Sequence, residues 1–176
     1  MTDTSDDAET STKEEISKEL SRIEEASKWS SQSQFERSKT WRGIHLVLTV
    51  PAAILAAVTG GTLLADAISV TLAGALTLIA AAVAGAGTAL DPAGKSVRSQ
   101  TAGNRYLALQ SAARRARNID LPTQSFEQGR SRLTELTETQ DEINADSPVI
   151  SDRAYERARK NIEETGGQDY KVDADG

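Results

Sequence analysis

Apolar residues are pooled along this chain rather than spread. Positions 44–90 hold 32 of them in 47 positions and carry a single charge, Asp66. On either side the chain is polar and charged, and apolar residues return only at helical spacing. A soluble globular domain distributes its apolar residues at helix or strand period, not in one block. A spanning helix needs about 20 apolar residues, so the block is too long for one span and suits two joined by a tight turn. Two turns fit. Gly60-Gly61 leaves helices of unequal length. Ala65-Asp66-Ala67 divides the block into 44–64 and 68–90 and keeps the carboxylate at the membrane surface. There it avoids most of the roughly 2.5–3.5 kcal/mol that a charge costs at a bilayer centre. The second turn is preferred, with Gly60-Gly61 loosening the end of the first span. The alternative, a hairpin buried in a soluble bundle, is disfavoured because neither segment has the charged stripe of a surface helix.

The flanks read as helices. Ile16, Leu20 and Ile23 repeat at helical spacing behind two capping boxes, Ser11-x-x-Glu14 and Thr12-x-x-Glu15, and predict a helix over 12–43. No Pro or Gly precedes Gly43, so this helix is able to run straight into the first span. After the second span, Asp91-Pro92 is an N-cap followed by proline at the first helical position. A helix to about 119 follows, with Val97, Leu109, Ala112, Ala113 and Ala116 available for packing, and Leu121-Pro122 breaks it. Ser125-x-x-Gln128 opens another, with Phe126, Leu133, Leu136, Gln140 and Ile143 at heptad-like spacing. Ser147-Pro148 is a second break, and Ser151 caps a last helix carrying Ala154, Tyr155, Ala158 and Ile162. These helices, within 91–165, are short of apolar residues and are expected to pack together and across subunits. The acidic leader 1–11 and the tail 166–176 read as disordered. The fold class is all-α: a two-helix transmembrane hairpin with a cytoplasmic helical bundle or coiled coil.

Charge adds an orientation. Arg37, Lys39 and Arg42 precede the first span, and residues 92–119 contain Lys95, Arg98, Arg105, Arg114, Arg115 and Arg117 with no acid. The turn between the spans has no Lys or Arg. The positive-inside rule then places both termini in the cytoplasm and Asp66 outside, for a multi-pass protein of the plasma membrane. Trp41 stands where an interfacial anchor would, and His45 reads as interfacial rather than as a pH sensor. Pro51 removes the bond to the Val47 carbonyl and is a candidate hinge.

Candidate chemistry is sparse. The chain has no cysteine and one histidine, which excludes a disulfide framework, thiolate metal sites and a two-histidine relay. No nucleophile–base constellation or metal-ligand spacing stands out, so neither enzyme activity nor a cofactor is expected. Gly94-Lys95-Ser96 resembles the end of a phosphate loop, but Ala89 stands where the motif needs its first glycine and an apolar helix precedes it instead of a strand. Asp173-Ala174-Asp175-Gly176 resembles the start of a calcium loop without its closing Glu. The basic run, in particular Arg114, Arg115 and Arg117, is either topogenic charge alone or a contact for lipid headgroups or a nucleotide ligand. Nucleic acid is not an expected partner.

The second span carries the sharpest pattern. At about 100° per residue, Asp66, Ala73, Thr77, Ala84, Thr88 and Asp91 fall on one narrow, small and polar stripe. Opposite lie Ile68, Leu72, Leu76, Ile79, Val83 and Leu90, the face expected against lipid. Between them Gly74, Ala81 and Gly85 form a seam that lets a neighbouring helix approach closely. Thr49, Ala53, Ala56 and Gly60 make a comparable small face on the first span. The polar stripe has the makings of a water-lined pore face, with hydroxyls for partly dehydrated ions and carboxylates at the mouths. The alternative is that the small residues serve helix packing and nothing conducts.

The whole layout resembles the SLATT family of bacterial and archaeal two-helix membrane domains, which are associated with SMODS nucleotidyltransferase and SLOG sensor systems. The resemblance covers nearly the whole chain beyond the leader. It rests on a charged helix with aromatics (Trp29, Phe35, Trp41), the hairpin, and the stretch Thr101-Ala102-Gly103-Asn104-Arg105-Tyr106-Leu107-Ala108-Leu109. Asn144-Ala145-Asp146-Ser147-Pro148 and Ala154-Tyr155 complete it. The resemblance implies a homo-oligomeric effector that forms a pore in the membrane when a nucleotide-signalling or antiviral conflict system is triggered. The chain has no sensor domain of its own, so the trigger is expected from a separate sensor protein or a nucleotide second messenger. The rival expectation is a membrane-anchored scaffold whose helices recruit partners.

Overall fold

The computed structural model describes residues 3–64 and 69–167, with side-chain surroundings from Thr10 to Val58 and from Ser69 onward. Its elements are helical: α1 (Asp3–Leu64), α2 (Val70–Leu90), α3 (Pro92–Arg115), a π-helical turn (Ala116–Asp120), α4 (Phe126–Asp146) and α5 (Asp152–Thr165). No strand occurs among the described residues. They fall into two compact units, residues 1–37 with 98–176, and residues 38–97. Both α1 and α3 contribute to each.

In the first unit the apolar residues read from helical spacing do form a core. Ile16, Leu20 and Ile23 of α1 meet Tyr106, Leu109, Ala113 and Ala116 from α3 and the π-turn, and Leu136 and Ile143 of α4, with Phe126 and Leu133 packed against them. Leu121 completes this core from the loop that breaks the third helix. Ala154 and Ala158 of α5 are fully buried. The capping box of α4 forms as read: Gln128 N–H donates to Ser125 Oγ at 3.4 Å, and Ser125 N–H donates to Gln128 Oε1 at 3.1 Å. At Ser151 the capping position is right, but the side chain makes no cap hydrogen bond.

The helix over 12–43 does run straight into the span over 44–64, as one continuous helix through Gly43 and Pro51. Two readings change. First, α1 starts at Asp3, so the leader up to residue 11 belongs to the helix and the boxes at Ser11 and Thr12 lie inside it. No Pro or Gly interrupts the run upstream of Ser11, so nothing local stops the helix there. Second, Val97 is not packed but 62% exposed.

The first unit also has a feature that apolar periodicity misses. Ser27, Ser31, Gln34 and Ser38 recur at helical spacing on α1 and are buried, the last of them in the second unit. On α3, Ser99 and Ala102 are buried, and a Cβ at Gly103 would meet the Phe35 ring at 2.7 Å. Polar side chains then tie distant segments together. Gln34 Nε2 donates to the Pro148 carbonyl at 2.7 Å, Gln32 Nε2 to Asn161 Oδ1 at 2.9 Å, and Tyr106 OH to Asn144 Oδ1 at 2.8 Å. Arg105 pairs with Asp146 at 3.0 Å, and the Trp29 and Tyr155 rings stack at 6.0 Å.

Candidate functional site

The second unit holds the site. Ser69 opens α2, its hydroxyl accepting from Leu72 N–H at 3.4 Å. At the other end Asp91 adopts a left-handed backbone (φ 44°, ψ 53°) that closes α2 and starts α3. Its carboxylate accepts from Gly94 N–H at 3.0 Å. A non-glycine residue in this conformation carries strain, and the cap the carboxylate supplies offsets it. A Cβ at Gly94 would collide with that carboxylate, so a larger residue there would displace the cap.

Two helices are long and apolar enough to cross a membrane, and their most apolar windows are 0% and 6% buried. They are therefore not the covered core of this chain. Leu46, Val47, Val50, Ile54 and Val58 on α1 and Val70, Leu72, Leu78, Ile79 and Leu90 on α2 all stand exposed. An apolar exterior on this scale marks a surface built for lipid or for another chain.

Between the two helices lies a groove of about 750 Å³. From α1 it is lined by His45, Thr49, Ala53 and Ala56, and from the α2 side by Thr77, Ala81, Ala84, Thr88 and Asp91. Most of the predicted pore stripe is thus brought together, facing α1 across the groove. Ala73 lies on the same stripe and is buried. The Thr77 hydroxyl donates to the Ala73 carbonyl at 2.9 Å and the Thr88 hydroxyl to the Ala84 carbonyl at 3.1 Å, so each is satisfied within its own helix. His45 Nδ1 and Thr49 Oγ1 are 3.4 Å apart. Asp66 and the surroundings of Gly60 lie outside the described residues.

The seam read from Gly74, Ala81 and Gly85 is divided. Ala81 lines the groove, whereas a Cβ at Gly74 or Gly85 would meet nothing within 4 Å. The open space at both glycines leaves them free for a neighbour outside the hairpin. Val83, assigned to the lipid face, turns its side to the groove. Gly87, which no sequence pattern singled out, also lines it, where a Cβ would sit 3.9 Å from Leu48.

The basic residues serve different tasks. Arg117 donates to Ser21 Oγ at 2.8 Å and pairs with Glu24 at 3.0 Å, which ties the π-turn to α1. Arg114 is engaged as well, and of these three arginines Arg115 alone is exposed. Arg37 donates to Ser99 Oγ at 3.0 Å. Burial, and then the like charge of Arg98, push its guanidinium below the usual arginine range. Gly94-Lys95-Ser96 is not a phosphate loop. Gly94 N–H serves the cap, Ser96 Oγ donates to the Ser38 carbonyl at 3.1 Å, and Lys95 Nζ sits 4.5 Å from the centre of the Trp41 ring.

No family model, curated protein or solved structure matches this chain. The groove residues that sequence reasoning missed as members of a site include His45 and Gly87, whereas Thr49, Ala53 and Ala56 had been read as a small face of the first span. His45 is the single histidine of the chain and stands within the first apolar span, and that was the available signal.

Proposed function

We propose that this protein is an integral membrane, pore-forming effector that assembles from several copies and lets ions cross when triggered. One observation carries the reading. The hairpin turns its bulky apolar side chains outward and gathers His45, Thr49, Thr77, Thr88 and Asp91 on one groove. That is an inverted arrangement, suited to lipid outside and water within. A single hairpin does not enclose a path, so neighbouring copies complete it, approaching through the open Gly74 and Gly85 positions. Both termini lie in the cytoplasm, on the basic side of the hairpin. A separate sensor protein or a nucleotide messenger supplies the trigger; this role, within a prokaryotic nucleotide-signalling or antiviral system, rests on the SLATT resemblance alone.

The test is ion release from liposomes holding the purified protein. Wild type is expected to release ions, and Thr77→Leu to insert equally but release few. Unchanged flux in Thr77→Leu counts against the pore face. A second reading, a membrane-anchored scaffold, is favoured by the two threonine hydroxyls, which already donate to their own helix and need no water. Full insertion with no flux under any trigger selects it.

A further inference from the structure

The groove ends in a mouth with a chemistry of its own. On α1 its last lining residue is His45, and at the other wall it reaches Asp91, Pro92 and Ala93. Trp41 stands one helical turn beyond His45 on the same face. Lys95 stands one turn beyond Asp91, its N–H bonded to the Asp91 carbonyl at 3.0 Å. These two residues meet, the Lys95 ammonium 4.5 Å from the Trp41 ring centre. Arg42 precedes Thr49 by seven residues and Ala53 by eleven, which puts all three on one helix face, and it is exposed. Among the described residues neither Arg42 nor Lys95 is paired with a carboxylate. The one acid at the mouth, Asp91, caps α3.

Behind this cationic mouth the lining is mainly apolar, with Leu48, Ala52, Ala56, Ala80 and Ala84 along its length. The Thr77 and Thr88 hydroxyls beside them are turned to carbonyls of their own helix, so a lone hairpin offers an acyl chain a largely apolar wall before neighbouring copies complete a water path. Its volume of about 750 Å³ lies within the roughly 300–1,000 Å³ of small-molecule sites. A ligand that fits has a negative head and a long apolar body. We propose that an anionic phospholipid occupies the groove, with one acyl chain between α1 and α2 and its phosphate held by Lys95 and Arg42. The two cations select an anionic headgroup over a zwitterionic one, whose ammonium they repel. Trp41 gives the headgroup region an aromatic platform at the depth that tryptophan favours. This proposal rests on the membrane reading, though not on conduction.

Trp41 reports on the site directly. The chain has two tryptophans, and Trp29→Phe keeps a ring against Tyr155 while leaving Trp41 as the single fluorophore. The full-length Trp29→Phe protein is placed in phosphatidylcholine vesicles containing a small fraction of acyl-brominated phosphatidylglycerol or, separately, acyl-brominated phosphatidylcholine. The expected result is several-fold stronger quenching by the anionic lipid at equal fraction. Adding Lys95→Gln with Arg42→Gln is expected to remove that preference, and Ala84→Phe, which fills the groove, to weaken it. Millimolar inorganic phosphate is expected to change nothing. Equal quenching by both lipids overturns the proposal alone, as does a preference that survives the Lys95→Gln, Arg42→Gln pair. Competition by inorganic phosphate shows a simple anion site and overturns the lipid assignment. Absence of quenching by either lipid overturns the membrane reading with it.

Discussion

Residues 1–37 with 98–176 and residues 38–97 are helical alike, yet they treat the same side chain in opposite ways. Leu20 in the first unit is 1% exposed, and Leu78 in the second is 73% exposed. The first gathers leucine and isoleucine inward and turns Glu, Lys and Arg outward. The second turns leucine, isoleucine and valine outward and keeps alanine, threonine, histidine and aspartate along its groove. The lipid surround proposed above accounts for both results with one physical rule, because burying apolar surface is favourable against water and has no such driving force against hydrocarbon. The contrast separates what holds each unit together. The first is held by an apolar core reinforced by polar ties between distant segments. The second has helices matched by small residues and a capped joint at Asp91.

The largest effect that probes this contrast is a pair of leucine truncations. Leu20→Ala is expected to destabilise the first unit by roughly 2–5 kcal/mol, since it empties a closed core. Leu78→Ala in a membrane mimetic is expected to shift stability by less than about 0.5 kcal/mol, as exposed substitutions do. Thermal unfolding followed through Trp29 fluorescence checks the first and helicity in the same mimetic the second. A large loss at Leu78 would break the comparison by showing that this face is covered.

Charge insertion sharpens it next. Leu78→Arg is expected to cost roughly 2.5–3.5 kcal/mol of membrane insertion if the residue sits near the bilayer centre. Thr134→Arg, on the exposed face of α4, is expected to stay within about 0.5 kcal/mol in stability. A glycosylation-mapped insertion assay reads the first and a melting curve the second. Equal tolerance at both positions would remove the distinction between the two exteriors.

A smaller effect concerns the joint. Asp91→Ala loses the cap of α3 and keeps a Cβ in a left-handed backbone, so a loss of about 1 kcal/mol is expected. Asp91→Gly loses the same cap but relieves the backbone and should cost only a few tenths of a kcal/mol. Melting temperatures of the two variants check the order, and reversal would show that the carboxylate does something other than cap.

The smallest effect belongs to an exposed pair of the first unit. The Lys18 hydrogen bond and charge hold the Glu15 carboxyl below its ordinary 4.5, and Glu15 likewise raises Lys18 above its ordinary 10.5. The Glu15 contribution is therefore fully present above pH 4.5 and fades as pH falls through the depressed value. The Lys18 contribution is present below pH 10.5 and is lost as pH rises through the raised one. The melting difference between wild type and Glu15→Gln should shrink in strong acid and in high salt. A difference that grows in acid would contradict this assignment.

Much of the architecture was legible from residue order. Breaks at Leu121-Pro122 and Ser147-Pro148, the box at Ser125 and Gln128, and the core set of Ile16, Leu20, Leu109, Leu136 and Ile143 follow from local chemistry and helical period, and the structure places them so. The start of α1 was misread because a capping box is a local signal, while an acidic, uninterrupted run upstream extends the helix at little cost. The buried serine and glutamine face of α1 was not seen, because hydropathy counts such residues as solvent-facing even when they recur at helical spacing. At the site, the Thr77, Ala84 and Thr88 stripe was visible as one face of an ideal helix. That it faces α1 was not visible, because a helical wheel gives the angle between residues and no direction in space.

Periodicity and composition alone determined that the chain is helical over its described residues and that two of its helices are long and apolar enough to cross a membrane. These are properties of neighbouring residues, and neighbours set helix period, caps and local polarity. Only the tertiary structure decided which small residues touch and which stand open, that Arg117 is engaged with Glu24, and that Lys95 rests on Trp41. Those pairings join positions far apart in the chain, and nothing in residue order fixes which side of one helix meets which side of another.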